Sequence, residues 1–141
     1  MNEAKYTMKQ GTLSSARNHY IVGAIAVIGP GVISRVFPIG NVLFDKYLGD
    51  ALYAVLIYLA LRMIQPQRPP RDHANWAMVV AFAIELFQLT GMPLALRESG
   101  NGVLMLFSVV LGTHFSWLDI VAYAVGILAI YWVDTKMIKS Y

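Results

Sequence analysis

The residue whose type and position suggest chemistry most directly is Glu85, a carboxylate inside a long apolar stretch. It has eleven uncharged residues on each side, 74–84 and 86–96. Ionisable side chains at the depth of a bilayer are costly, and by default they mark a functional site. Gln88 follows three positions later and therefore falls on the same face of a helix. Together the two side chains can offer a carboxylate and an amide to one ligand or to one neighbouring arginine.

Further candidate residues lie near the ends of apolar stretches, on the side that the distribution of basic residues assigns to the outer leaflet. They are Arg35, Asp50, Arg97, Asp119 and Tyr123. Asp50 and Ala54 are four positions apart and share one face of a helix. On another helix, Asp119 shares a face with Tyr123 and Gly126. Small residues such as Ala54 and Gly126 let two helices approach closely.

Each of these candidates also has a purely structural interpretation. Asp50 and Asp119 are suitable N-caps for helices that start at the outer side. Arg35 can extend its charged end to the lipid headgroups from the end of a helix. Glu85 can form a buried ion pair with Arg35 or Arg97. The sequence leaves the structural and the functional interpretations open.

The composition indicates that these residues belong to a membrane protein. Of the 141 residues, 57% are hydrophobic and 13% are charged, and the mean hydropathy is +0.56. A soluble domain has about 45–50% apolar and about 25% charged residues, so this chain has too little charge to cover a soluble surface. Disorder and a coiled coil fit poorly for the same reason. The basic residues are scattered at segment ends, which argues against a nucleic acid as partner.

Four apolar stretches are long enough to cross a bilayer, for which about 20 residues are needed. They predict membrane spans at about 20–37, 47–64, 74–91 and 117–136. A fifth stretch, 103–112, is too short to cross and predicts a re-entrant or interfacial segment. We therefore expect an all-α integral membrane protein with four transmembrane helices in a single domain, 18–141. A cytoplasmic arm, 1–17, precedes that domain.

The basic residues predict the orientation of the chain. With four spans, both termini share one side with the loop 62–71, and that side holds eight of the eleven basic residues. These eight are Lys5, Lys9, Arg17, Arg62, Arg68, Arg71, Lys136 and Lys139. Because basic residues favour the cytoplasmic side, both termini are predicted to be cytoplasmic. The inner side is expected to carry loop charges only.

Other kinds of chemistry find little support in the sequence. It has no cysteine, and its histidines stand singly, without the spacing of metal ligands. It contains no nucleophile motif and no glycine-rich phosphate loop. No metal and no cofactor are therefore expected. An enzyme would have to use Glu85 or Asp119 as a general base, and it is the less favoured interpretation.

The order of these motifs resembles that of a known family. It consists of Arg35, the segments 47–53 and 84–89, Arg97, and the segment 112–126. Over residues 20–135 the chain resembles the VanZ-like group, and it is most similar to a branch of small bacterial proteins that form a domain of unknown function. VanZ-like proteins often carry an asparagine where this sequence has Tyr123, and named members are associated with low-level resistance to teicoplanin. The resemblance implies a four-helix protein of the bacterial inner membrane with a site formed by Glu85, Gln88, Arg97 and Asp119, to which the closer branch adds Arg35 and Asp50.

Three functional hypotheses arise from the outer polar residues. In the first, Arg35 and Arg97 engage an anionic lipid or a lipid-linked envelope precursor in an outward-facing polar cavity above Glu85. The second is a proton-coupled transporter or channel subunit that uses Glu85, although no ionisable group is expected on the inner half of the third or fourth span. The third is an intramembrane enzyme acting on a lipid-linked substrate. The expected partners are membrane lipids and a second copy of the chain or a larger membrane assembly, in which polar residues hold helices together.

Overall fold

The computed structural model describes the backbone of residues 2–37, 39–41 and 43–139. It describes the side chains of these residues except those of 2–14, 16, 34–36, 109, 110 and 139. In this part of the chain the secondary structure is all-α, which confirms the predicted class. The six α-helices are α1 (Asn2–Val36), α2 (Gly49–Ile64), α3 (Pro70–Gln88), α4 (Met92–Glu98), α5 (Gly102–Leu111) and α6 (Trp117–Lys139).

Prolines and glycines set the ends of the central helices. A π-helical segment, Leu43–Leu48, runs directly into α2, and α2 stops before Pro66, which cannot continue a helix. Helix α3 begins with Pro70 in its first turn, a position that tolerates proline because its missing N–H has no intrahelical partner there. After α3, Gly91 adopts a φ of +70°, a conformation that favours glycine.

The number of membrane spans differs from the prediction. Among the described residues, two helical segments are long and apolar enough to cross a membrane, Leu43–Ile64 and Trp117–Ile138. Helices α3 and α4 make a third if the bent pair forms one span. The structure therefore supports two to three candidate spans, and the prediction of four is wrong. Helix α3 covers 74–88 of the predicted third span, 74–91, without a break, but it is a candidate span only together with α4, from which it is bent by 66°.

The beginning of the chain is helical, and its assignment to a cytoplasmic arm, 1–17, stays a prediction. Helix α1 starts at Asn2, so the residues of the predicted arm 1–17, apart from the first, continue without a break into the predicted span 20–37. That predicted span is not among the candidate spans of the described residues. The placement of both termini on the cytoplasmic side followed from an even number of spans, and it stays a prediction.

Helix α2 is the central element of the bundle, and it packs against α1, α3 and α6. The core at these contacts is built largely from small residues, including Ala54, Ala77 and Ala81, all fully buried. Helices α2 and α6 approach most closely at Gly126, where an added Cβ would lie 2.3 Å from the backbone oxygen of Ala51. The expectation that small residues allow close helix packing is therefore confirmed at Gly126, and Ala54 is fully buried in the core.

The short apolar stretch predicted not to cross the membrane forms α5, a helix of ten residues. The Asn101 side chain caps its start by accepting hydrogen bonds from the backbone N–H groups of Val103 and Leu104. Helix α5 packs against α4 and is not among the candidate spans. Its location at a membrane interface stays a prediction.

The outer face of α6 is apolar rather than polar. Val121, Val125, Leu128 and Trp132 are all exposed on this helix, at the three- and four-residue steps that place side chains on one face. A contiguous apolar surface of this kind is unusual in a soluble monomer. It is the kind of surface that lipid tails or another helix cover.

Candidate functional site

A polar cavity of about 250 Å³ lies where α2 and α6 begin and α3 ends. We call it the acidic pocket, after three aspartates in its lining. Its charged and hydrogen-bonding side chains include Asp45, Lys46, Asp50, Gln88, Asp119 and Tyr123. Four of the residues selected from the sequence therefore line one cavity. Glu85 lies directly beneath, bonded to two of them.

Glu85 is fully buried and accepts hydrogen bonds at both carboxylate oxygens. The Tyr123 hydroxyl donates to Oε1 at 2.7 Å, and the Gln88 amide donates to the same oxygen at 3.3 Å. The backbone N–H of Ser116 donates to Oε2 at 3.2 Å. Among the described residues no basic side chain contacts Glu85, so the alternative of an ion pair with Arg97 is wrong.

Gln88 has one hydrogen-bonding atom left over after its contacts are assigned. Its amide nitrogen donates to Glu85 and also to the backbone oxygen of Leu111 at 2.8 Å. Both partners are acceptors, which fixes the orientation of the amide. The Gln88 side chain is only 6% exposed, and its Oε1 has no hydrogen-bond partner among the described residues. This buried acceptor belongs to a residue that lines the acidic pocket.

Gly112 lies against the Gln88 side chain and leaves room for it. A Cβ at this position would lie 2.8 Å from the Gln88 amide nitrogen. Gly112 also has a φ of +76°, which other residues rarely adopt. The turn before α6 therefore depends on glycine to keep the carbonyl of Leu111 within reach of Gln88.

Asp119 and Lys46 form an ion pair at the rim of the acidic pocket. The Lys46 Nζ lies 2.9 Å from Asp119 Oδ1, and the lysine side chain is 47% exposed whereas that of the aspartate is 8% exposed. Asp119 lies in the first turn of α6 rather than at its N-cap. Asp50 is buried in the first turn of α2, after Gly49, and the residue before the helix, Leu48, already has a helical backbone conformation. The N-cap interpretation is therefore wrong for both aspartates.

The two arginines expected at this site do not contribute described contacts to it. Arg97 is exposed in the last turn of α4 and is not among the described residues that line the acidic pocket. The side chain of Arg35 lies outside the described residues. Lys46 is the cation that sequence reasoning missed. The π-helical segment before α2 carries this residue into the pocket, and no spacing rule for α-helices predicts that position.

A second buried polar group lies at the opposite end of the same helices. We call it the arginine cluster, and it consists of Tyr20, Tyr58, Arg62 and Asp134. The Asp134 carboxylate lies 2.9 Å from Arg62 Nε and accepts hydrogen bonds from the hydroxyls of Tyr20 at 2.9 Å and Tyr58 at 2.5 Å. Arg62 also donates to the Tyr20 hydroxyl, and its guanidinium lies 4.7 Å from the centre of the Tyr20 ring.

The arginine cluster contradicts the expectation that the inner side carries loop charges only. Arg62 and Asp134 are both buried within helices α2 and α6. Arg62 additionally donates to the backbone oxygens of Pro66 and Arg68, which ties the loop 65–69 to α2. The rule that selected Glu85 also applies to Asp134, a carboxylate inside the predicted span 117–136. It was missed because it lies close to the predicted end of that span.

Apolar side chains separate the two polar groups. Tyr123 and Asp134 are eleven positions apart on α6, which corresponds to about 16 Å along a helix. Ala54, Ala77 and Ile127 belong to the buried apolar core of the same bundle. Among the described residues no group of three or more histidine, aspartate or glutamate side chains is arranged to hold a metal ion.

The fold and the site define an all-α protein with two to three candidate membrane spans and a polar pocket between its helices. The family model of a protein of unknown function, DUF2809, matches residues 39–127, and the chain belongs to this family. The match contains the whole lining of the acidic pocket but neither Tyr20 nor Asp134 of the arginine cluster. It agrees with the expected domain of unknown function and shows no link to the VanZ-like group. No solved structure matches the chain.

Proposed function

We propose that this protein binds the headgroup of a lipid or of a lipid-linked envelope precursor in the acidic pocket. In this proposal an N–H or O–H group of the headgroup enters the pocket, and its phosphate lies at the rim beside Lys46. The observation that carries the proposal is the buried Oε1 of Gln88, an acceptor with no described partner, which belongs to a residue that lines a cavity of about 250 Å³. A buried acceptor without a partner costs about 1–3 kcal/mol, which a ligand donor would recover.

The charges around the acidic pocket favour a ligand that donates hydrogen bonds. Asp45, Asp50 and Asp119 line it together with one cation, Lys46. Ionised carboxylates can only accept hydrogen bonds, and Lys46 is already paired with Asp119. An ammonium or hydroxyl group suits this lining, whereas a phosphate suits only the exposed rim.

This proposal keeps the lipid ligand expected from the sequence and changes the group that is recognised. The expected anionic headgroup relied on Arg35 and Arg97, and Arg97 does not line the acidic pocket. A bacterial inner-membrane location and the likeness to the VanZ-like group remain parts of the proposal. The apolar outer face of α6 supports the membrane location.

The proposal is tested with two zwitterionic lipids that differ in N–H donors. We expect the purified protein to bind phosphatidylethanolamine about fivefold more tightly than phosphatidylcholine in native mass spectrometry, because one added hydrogen bond contributes on the order of 1 kcal/mol. Gln88→Leu should abolish this preference. Gln67→Leu makes the same change in an exposed loop and should leave the preference intact. Equal binding of the two lipids by the unmodified protein would refute the proposal.

A second candidate function is a proton-coupled transporter or channel subunit that uses Glu85. The buried Asp134 and Arg62 favour it, because they place ionisable groups at the end of the bundle where none was expected. A proton path between the acidic pocket and the arginine cluster would have to cross the apolar core, so the structure would represent a closed state of that path. Proton flux into proteoliposomes should fall strongly in Glu85→Gln. Flux that is present and unchanged in this variant would eliminate the candidate.

A further inference from the structure

A separate cavity lies at the other end of the bundle, beside the loop 65–69. It has a volume of about 260 Å³, and Arg68, Asp72, His73 and Trp76 contribute to its lining. We call it the His73 cavity. It shares no lining residue with the acidic pocket, so a substitution in one site leaves the lining of the other unchanged.

His73 lines this cavity and has one buried ring nitrogen without a described partner. The residue is 4% exposed, and its Nδ1 lies 3.1 Å from the backbone oxygen of Pro69. A carbonyl oxygen can only accept, so Nδ1 carries the hydrogen and Nε2 of the neutral ring is an acceptor. Nε2 is buried and has no hydrogen-bond partner among the described residues. A donor group from a ligand is the missing partner.

The other polar residues of the His73 cavity specify a ligand that is both anionic and a donor. Arg68 is exposed at the cavity, and its guanidinium suits a phosphate. Asp72 also lines the cavity and, like the neutral ring of His73, accepts hydrogen bonds. A phosphate ester that carries a free hydroxyl group meets both requirements, because its phosphate faces the arginine and its hydroxyl donates to the acceptors.

The apolar side of the His73 cavity suits the attachment of such a headgroup to a lipid. Leu61 and Ile64 line it together with Trp76, whose side chain is exposed. Tryptophan is enriched at the level of the lipid headgroups. Basic residues near one membrane face attract anionic lipids, and Arg71 lies one residue before Asp72 in the first turn of α3.

We propose that the His73 cavity binds a phosphate ester with a free hydroxyl group, of which phosphatidylglycerol is the membrane form and glycerol phosphate the soluble form. The phosphate pairs with Arg68, and the hydroxyl donates a hydrogen bond to His73 Nε2. The two interactions are separable. Arg68 provides affinity for any anionic headgroup, and His73 provides the preference for a headgroup with a hydroxyl.

Native mass spectrometry of the purified full-length protein with short-chain lipids tests this proposal. Phosphatidylglycerol is compared with phosphatidylmethanol, which has the same charge and no hydroxyl. We expect phosphatidylglycerol to bind about tenfold more tightly, which corresponds to about 1.4 kcal/mol. Equal binding of the two lipids overturns the proposal. Competition by glycerol phosphate supports the site with a soluble occupant, and its failure to compete supports the lipid.

Two variants separate the two interactions and check the fold at the same time. Because the acidic pocket also favours a hydroxyl donor, His73→Phe is made in the Gln88→Leu background. There it should remove the remaining preference for phosphatidylglycerol and leave the binding of phosphatidylmethanol unchanged, which a misfolded protein would not do. Arg68→Gln should lower the affinity for both lipids by about tenfold. The matched controls are His19→Phe and Arg17→Gln, which alter exposed residues outside the lining and should leave both affinities unchanged. A preference that survives His73→Phe overturns the assignment of the hydroxyl.

Discussion

Each end of the bundle holds a buried carboxylate. The two carboxylates accept similar hydrogen bonds, but only one of them has a basic side chain beside it. Glu85 and Asp134 each accept a hydrogen bond from a tyrosine hydroxyl. Asp134 lies beside a buried arginine, which also holds the loop 65–69. Among the described residues Glu85 has no basic partner, and the amide oxygen of Gln88, which lines the cavity next to it, has no hydrogen-bond partner. The arginine cluster thus joins three helices through buried polar contacts, whereas the acidic pocket is the site where we propose that a ligand binds.

The largest difference between the two ends should appear when each cation is removed. Arg62→Met is expected to lower the free energy of unfolding by about 3–5 kcal/mol, because it leaves the Asp134 charge buried without a partner. Lys46→Met should cost about 1 kcal/mol or less, because the lysine is half exposed and water screens its ion pair. Denaturant unfolding in detergent micelles measures both. If both variants lowered the free energy of unfolding by similar amounts, the two ends of the bundle would not differ in how much their cations stabilise the fold.

The double variant Arg62→Met with Asp134→Leu sharpens the same test. Replacing both members of a buried ion pair by apolar residues is often neutral or even stabilising, whereas removing one is costly. We therefore expect the double variant to be more stable than Arg62→Met alone. A double variant that unfolds as easily as Arg62→Met would show that the unpaired charge of Asp134 does not cause the loss of stability.

A substitution between the two ends should affect both of them. Gly126→Ala places a Cβ at 2.3 Å from the backbone oxygen of Ala51, and overpacking of this kind costs about 1–3 kcal/mol. Gly29→Ala is the control, because nothing lies within 4 Å of its added Cβ. It should be neutral or stabilise by up to about 1 kcal/mol through helix propensity. Thermal unfolding that is equal in the two variants would contradict the close contact of α2 with α6.

The smallest expected effects are those of removing one tyrosine hydroxyl at each end. Tyr123→Phe and Tyr58→Phe should each cost on the order of 1 kcal/mol, because each removes one hydrogen bond to a buried carboxylate. Tyr123→Phe should weaken lipid binding and Tyr58→Phe should not, since Tyr123 lines the acidic pocket and Tyr58 does not. Lipid titrations of both variants measure this difference. Weaker binding in Tyr58→Phe alone would reverse the roles of the two ends.

The sequence predicts the class of fold and the membership of the acidic pocket better than the number of spans. An ionisable residue within an apolar stretch is a strong signal, and Glu85, Gln88, Asp119 and Tyr123 do lie together. The number of spans is harder to predict. The predicted span 20–37 lies in α1, which is not a candidate span of the described residues, and hydropathy alone does not reveal the bend between α3 and α4. That bend depends on the backbone conformation at Gly91 and on the start of a new helix at Met92.

The arginine cluster shows a different limit of prediction from sequence. Arg62 lies beside charged and proline-rich loop residues, so its charge suggests a loop position. In the structure its side chain is turned into the bundle, towards Asp134, which lies more than seventy positions away in the sequence. A partner at that distance cannot be found from spacing on one helix. Lys46 was missed for a related reason, since its position depends on a π-helical segment.

The most direct test of the difference between the two ends makes one chemical change, aspartate to asparagine, at each of them. Phosphatidylethanolamine binding and thermal unfolding are measured for Asp50→Asn in the acidic pocket and for Asp134→Asn in the arginine cluster. We expect Asp50→Asn to lose the preference for phosphatidylethanolamine over phosphatidylcholine and largely to keep its stability. Asp134→Asn should keep the preference and lose stability. Two results would contradict these roles. One is an Asp50→Asn variant that still prefers phosphatidylethanolamine, and the other is an Asp134→Asn variant that keeps its stability but loses this preference.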